Sequence, residues 1–79
     1  MKVETQDFYL SAYLCLQGLR ILEMKNFYDR KLFVFDDNEE FQRLKRKYYY
    51  NEANVDPLSF KKQIRKLKSQ ISENNNVTN

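Results

Sequence analysis

Across 79 residues the chain has no histidine, one cysteine, one glycine and one proline. Each scarcity removes some chemistry. Without histidine, the side chain best suited to proton transfer and metal ligation at neutral pH is missing. Cys15 alone forms neither an internal disulfide nor a CxxC zinc clip. Gly18 alone is too little glycine for a P-loop or a dinucleotide-binding fingerprint. No apolar run approaches the roughly 20 residues that span a bilayer. The opening residues, Met1-Lys2-Val3-Glu4-Thr5-Gln6-Asp7, are polar and acidic, where a secretory signal would be cationic and then apolar. The expectation is a cytoplasmic, non-enzymatic protein with no cofactor, no metal, no small-molecule substrate and no membrane association.

At 9.7 kDa the chain has room for one modest core, and a domain of this size buries only about 60–65% of the surface of its unfolded form. The domain is expected over residues 1–71, with 72–79 a disordered polar tail that has almost nothing to bury. The net charge of +3 is unevenly spread. Residues 1–40 hold five basic and eight acidic side chains, and residues 41–79 hold nine and three. A basic half beside an acidic half is the footprint of a polyanion-binding surface or of a solvated basic helix face.

Thr5 to Leu16 reads as a helix, with Thr5 as N-cap, Asp7 in the first turn and Gly18 at the C′ position. Its interior, Phe8-Tyr9-Leu10-Ser11-Ala12-Tyr13-Leu14-Cys15-Leu16, is apolar on nearly every side. It must therefore be buried on more than one face, within the domain or against a second copy. Leu19 to Lys25 shifts towards alternation, and Lys31-Leu32-Phe33-Val34-Phe35-Asp36 is a β-branched and aromatic strand. The two are expected to form a hairpin through a loop of about five residues, since Asn26-Phe27-Tyr28-Asp29-Arg30 lacks the glycine of a tight turn. Phe33 and Phe35 fall on one face and Leu32 and Val34 on the other. Core packing explains the two phenylalanines more simply than a base-stacking platform.

Asp37, with Glu40 three residues on, predicts the N-cap of a second helix running to about Tyr50, with Phe41, Leu44 and Tyr48 on its apolar side. Val55-Asp56-Pro57 marks the start of the last helix: Asp56 as N-cap, Pro57 at N1, and Val55 stapled to Phe60. Phe60, Ile64, Leu67 and Ile71 make one stripe. The expected fold is therefore α+β, a single small domain in α-β-β-α-α order, with a two-stranded antiparallel hairpin packed by three helices.

Three segments carry a family resemblance: Asp7-Phe8-Tyr9-Leu10-Ser11-Ala12-Tyr13-Leu14; Phe33-Val34-Phe35-Asp36-Asp37-Asn38-Glu39-Glu40; and Tyr48-Tyr49-Tyr50-Asn51 followed by Val55-Asp56, Phe60 and Leu67-Lys68. Together they resemble a small family of domains of unknown function found in bacteria and their phages or other mobile elements. The resemblance covers about residues 5–71. It implies the same fold and a phage or bacterial origin, and it brings no site with it.

Two constellations remain. The carboxylates Asp36, Asp37, Glu39 and Glu40 are accounted for by their position at a helix start. Tyr48-Tyr49-Tyr50 beside Arg46 and Lys47 has the aromatic and cationic mixture that single-stranded nucleic acid requires. Three successive tyrosines span about 200° of a helix, so Tyr49 or Tyr50 must leave the core. Packing under the connector is the simpler role for them, and base stacking the functional one. The leading expectation is a nucleic-acid-associated protein that binds DNA or RNA through Arg43, Lys45, Arg46, Lys47, Tyr49, Tyr50, Lys61, Lys62, Arg65, Lys66 and Lys68. The alternative is a homodimeric protein–protein interaction module that uses the first helix and the hairpin edge.

Overall fold

The computed structural model describes residues 1–76. Six elements follow in order: β1 (Lys2–Thr5), α1 (Phe8–Leu16), β2 (Glu23–Phe27), β3 (Arg30–Asp36), α2 (Glu39–Tyr49) and α3 (Pro57–Asn76). The class is α+β with three helices, as the sequence implies. The sheet, however, has three strands rather than two, in the antiparallel order β1-β3-β2. The extra strand is the N-terminal Lys2-Val3-Glu4-Thr5. With one large apolar side chain in four residues, it carries almost no strand signal of its own. Pairing supplies what the local sequence lacks, because Val3 lies opposite Phe35 and Thr5 opposite Phe33. The most apolar strand, β3, thereby becomes the centre of the sheet, and β1 and β2 become its edges.

The hairpin also differs from expectation. Pairing continues through Asn26↔Lys31 and Phe27↔Arg30, leaving only Tyr28 and Asp29 to turn. Tyr28 adopts φ 58°, a left-handed conformation that normally falls to Gly or Asn. Its cost of about 1–2 kcal/mol is offset by the additional ladder bonds of the longer strands. The alternating segment accordingly starts at Glu23 rather than Leu19, and Leu19 to Leu22 link α1 to β2.

The helix ends follow local chemistry, with two shifts. The side chain capping α1 is Asp7, not Thr5: its carboxylate accepts from the Leu10 amide at 3.0 Å, while Thr5 Oγ1 accepts from the Asp7 amide at 3.1 Å. Asn38 rather than Asp37 caps α2, accepting from the Phe41 amide at 2.9 Å. Asp37 instead accepts from Gln42 Nε2 at 2.8 Å. Asp56 caps α3 as expected, accepting from the Ser59 amide at 2.9 Å, with Pro57 at the first helical position. Gly18, at φ 101°, closes α1 in a Schellman turn through bonds from the Gly18 amide to the Cys15 carbonyl and from the Leu19 amide to the Leu14 carbonyl. Asn51, at φ 59°, does the same for α2, with the Glu52 amide donating to the Lys47 carbonyl. The last helix runs beyond Ile71 to Asn76, and the end of the expected disordered tail, residues 77–79, lies outside the described residues.

The core sits between one face of the sheet and the helices. Phe33 and Phe35 meet Leu10, Ala12, Tyr13 and Leu14 of α1, Phe41 and Leu44 of α2 and Leu67 of α3. Both α2 and α3 pack on α1, so five consecutive α1 residues, Leu10 to Leu14, are buried within one chain. That burial removes the reason the sequence gives for covering this helix with a second copy. The polar member, Ser11, donates its hydroxyl to the Asp7 carbonyl at 2.9 Å.

Val34 turns to the sheet face opposite Phe33 and Phe35, and it is only 1% exposed. Glu4 of β1 and Lys25 of β2 flank Val34 and Leu32, and their side chains meet at 2.7 Å across the central strand. The stem of Lys25 shields the apolar row while its ammonium stays wet. Among the described residues, no helix is long and apolar enough to cross a membrane.

Candidate nucleic-acid interface

The nine basic side chains proposed from the sequence have different surroundings. Those of α3, Lys61, Lys62, Arg65, Lys66 and Lys68, are all exposed, and among the described residues none forms an ion pair. Their exposure follows from the helical stripe: Leu67 is fully buried, Phe60, Ile64 and Ile71 pack against the core, and the cations between them face water. Five cations within eight residues occupy about 10 Å of helix axis. No acidic residue occurs between Pro57 and Ser72.

The exposed face of α2 is electrically mixed. Arg43 is paired with Glu40 in its own helix, Lys45 and Lys47 are half-buried, and Arg46 is exposed. The α3 face is therefore the strong part of the predicted surface and α2 the weaker part.

The tyrosines separate in the same way. Tyr48 turns inward, its ring centroid 5.8 Å from that of Tyr13, and joins the Phe41 and Leu44 side as expected. Tyr50 is 72% exposed at the helix end. Tyr49 is 52% exposed, and its hydroxyl donates to Asp7 Oδ2 at 2.7 Å. Asp7 thus serves two elements at once, capping α1 with one oxygen and holding the end of α2 with the other. This tie links residues 42 positions apart, so no local pattern announces it. The hydrogen bond to the Asp7 carboxylate, aided by partial burial, pushes the Tyr49 hydroxyl up to about 12.

A stability test follows from that shift. Because the folded value lies above the ordinary tyrosine value near 10, the bond's contribution is complete below pH 10 and is lost as pH rises through about 12. Thermal melts of wild type and Tyr49→Phe should differ at pH 8 and converge towards pH 12. A gap that persists unchanged to that pH would show that the hydroxyl does not bond to Asp7.

Cys15 lines an open groove of about 570 Å³ between the Leu19–Met24 segment and the Gln63, Lys66, Gln70 and Glu73 side of α3. Burial pushes its thiol up, and the opposing pull of Lys66 is the smaller effect. It is a half-buried free thiol whose thiolate form burial disfavours. Among the described residues, no three His, Cys, Asp or Glu side chains gather in a way that would hold a metal ion. Of the carboxylates at the start of α2, Asp37 bonds to Gln42 and Glu40 to Arg43.

A family model described as a domain of unknown function, DUF5659, matches residues 2–73. The chain belongs to the DUF5659 family. No curated protein matches it, and no solved structure does. The DUF5659 match begins at β1, five residues before Asp7, where the first segment that carries the resemblance starts, and ends within α3. It thus spans the edge strand that sequence patterning misses.

The structure adds residues that sequence reasoning omits. An open cleft of about 460 Å³ is lined by Tyr13, Tyr48, Tyr49, Asn51, Ala53, Val55 and Phe60. It gathers α1, the end of α2, the connector and the first turn of α3. Only Tyr49 among these is in the set expected from the sequence.

Proposed function

We propose that this protein is a small, non-enzymatic, cytoplasmic nucleic-acid-binding protein of phage or bacterial origin that contacts the phosphate backbone through α3. The observation that carries the reading is the α3 face itself: Lys61, Lys62, Arg65, Lys66 and Lys68, exposed, without ion pairs among the described residues and without an intervening acid. Such a surface holds like charges together at a cost in self-repulsion, which a polyanion relieves. Phosphate contacts of this kind position a protein on nucleic acid without reading its sequence. Arg46 and the exposed tyrosines at the end of α2 supply a second, more selective element.

A protein-interaction module is the other reading, supported by the sheet edge. β2 pairs on one side only, and Leu22, Phe27 and Tyr28 are exposed along it. Open edges of this type accept an added strand from another chain.

Salt separates the two. Mobility-shift titrations with unrelated single- and double-stranded DNA and RNA should show binding at about 50 mM salt that weakens steeply by about 200 mM, as counterion release requires. Failure of the protein to retard any nucleic acid at the lower salt would transfer the case to the interaction reading, whose apolar contacts do not weaken with added salt.

A further inference from the structure

We propose that the cleft between the end of α2 and the start of α3 receives a single unpaired nucleobase, so that the protein prefers single-stranded to duplex nucleic acid. This inference rests on the phosphate-binding reading of α3 and assigns a second site beside it. Three observations carry it.

The first is the wall. Tyr48 and Tyr49 stand edge to face, with ring centroids 5.2 Å apart at 84°, and Phe60 and Tyr13 complete an aromatic lining. The Tyr49 ring is held by its hydroxyl on Asp7, and the Tyr48 ring by its packing on Tyr13. A base stacking here meets side chains already ordered, so little rotamer freedom is lost on binding. The volume, about 460 Å³, lies within the range of roughly 300–1,000 Å³ usual for small-molecule sites.

The second is Asn51. Its backbone is fixed in the left-handed region by the Schellman turn, which places its side chain at the cleft. Among the described residues, that side-chain amide has no hydrogen-bond partner. It offers one acceptor and two donors, the complement of a nucleobase edge freed from pairing.

The third is charge. Arg46 and Lys47 lie in the last turn of α2, directly before the cleft residues Tyr48 and Tyr49, and Lys61 and Lys62 directly follow the cleft residue Phe60. The α3 cations begin at the cleft and continue along the helix, giving a phosphate chain a track to either side of the inserted base. Of the nearby acids, Asp7 and Asp56 are engaged in capping α1 and α3, and Glu52 is exposed. A duplex has no free base to insert, whereas a single strand presents one at every nucleotide.

Fluorescence anisotropy at about 50 mM salt tests the site with three probes of equal length: a single-stranded oligonucleotide, the same strand made wholly abasic, and a duplex. Wild type should bind the intact strand roughly 5- to 150-fold tighter than the abasic one, the range expected for stacking one base. Asn51→Gly preserves the left-handed backbone while removing the amide, and Tyr49→Leu removes the ring. Both should erase most of that preference by weakening binding of the intact strand. Tyr49→Phe keeps the ring but loses its hold on Asp7, and should retain most of the preference that Tyr49→Leu erases. Equal, salt-sensitive binding of intact and abasic strands by wild type would overturn the cleft and leave the α3 reading standing. A preference for the intact strand that survives both Asn51→Gly and Tyr49→Leu would also overturn it. Absence of binding to all three probes would remove both readings together.

Discussion

Replacing Leu67 by alanine should destabilise the fold by about 2–5 kcal/mol, the cost of a cavity at a fully enclosed leucine. Leu67 is 0% exposed and, among the described residues, is the one fully buried side chain that α3 contributes to the core. A domain of 79 residues has a total stability of roughly 4–12 kcal/mol, so the change removes a large share of it. Ile64 lies one turn earlier on the same stripe but is only half-buried. Ile64→Ala should therefore cost clearly less, although periodicity alone treats the two positions alike. Urea melts would show the difference as a lower midpoint at an unchanged slope. Coincident curves for Leu67→Ala and wild type would mean that α3 does not pack on α1.

Reversing charge at two positions should have the largest functional effect. With all five α3 cations on duplex phosphates, the logarithm of affinity should fall with the logarithm of salt concentration at a slope of about −4.5. The double variant Arg65→Glu/Lys68→Glu should reduce that slope to about −2.7 and weaken binding roughly a hundredfold at about 50 mM salt. The loss should be nearly the same for unrelated sequences, because phosphates carry no base information. Stability should change by no more than about 0.5 kcal/mol, since both side chains are exposed and off the apolar stripe. A variant that binds as tightly as wild type would exclude α3 as the contact surface.

Fold class, the three helices, the Gly18 stop, the Asp56-Pro57 start and the inward Tyr48 were all legible along the chain. Each depends on interactions between residues no more than a few positions apart, and short-range chemistry of that kind is written in local order. The same holds for the basic face of α3, because the spacing of Phe60, Ile64, Leu67 and Ile71 dictates which side of the helix meets water.

The strand Lys2–Thr5 was not legible, because its partner is Asp36 to Phe33 and its single valine becomes informative only when set opposite Phe35. The tight hairpin was hidden for a related reason: two further cross-strand pairs outweigh the strain at Tyr28, and a local propensity rule sees only the strain. Tertiary structure likewise decided that α1 is covered within its own chain, that Glu4 and Lys25 meet over Val34, and that Asp7 joins Tyr49. It also assembled the cleft around Asn51 from elements that meet only after the helices have packed. What neighbouring residues settle among themselves could be read from the sequence; what residues far apart settle by sharing a core or a hydrogen bond appeared only when the chain was folded.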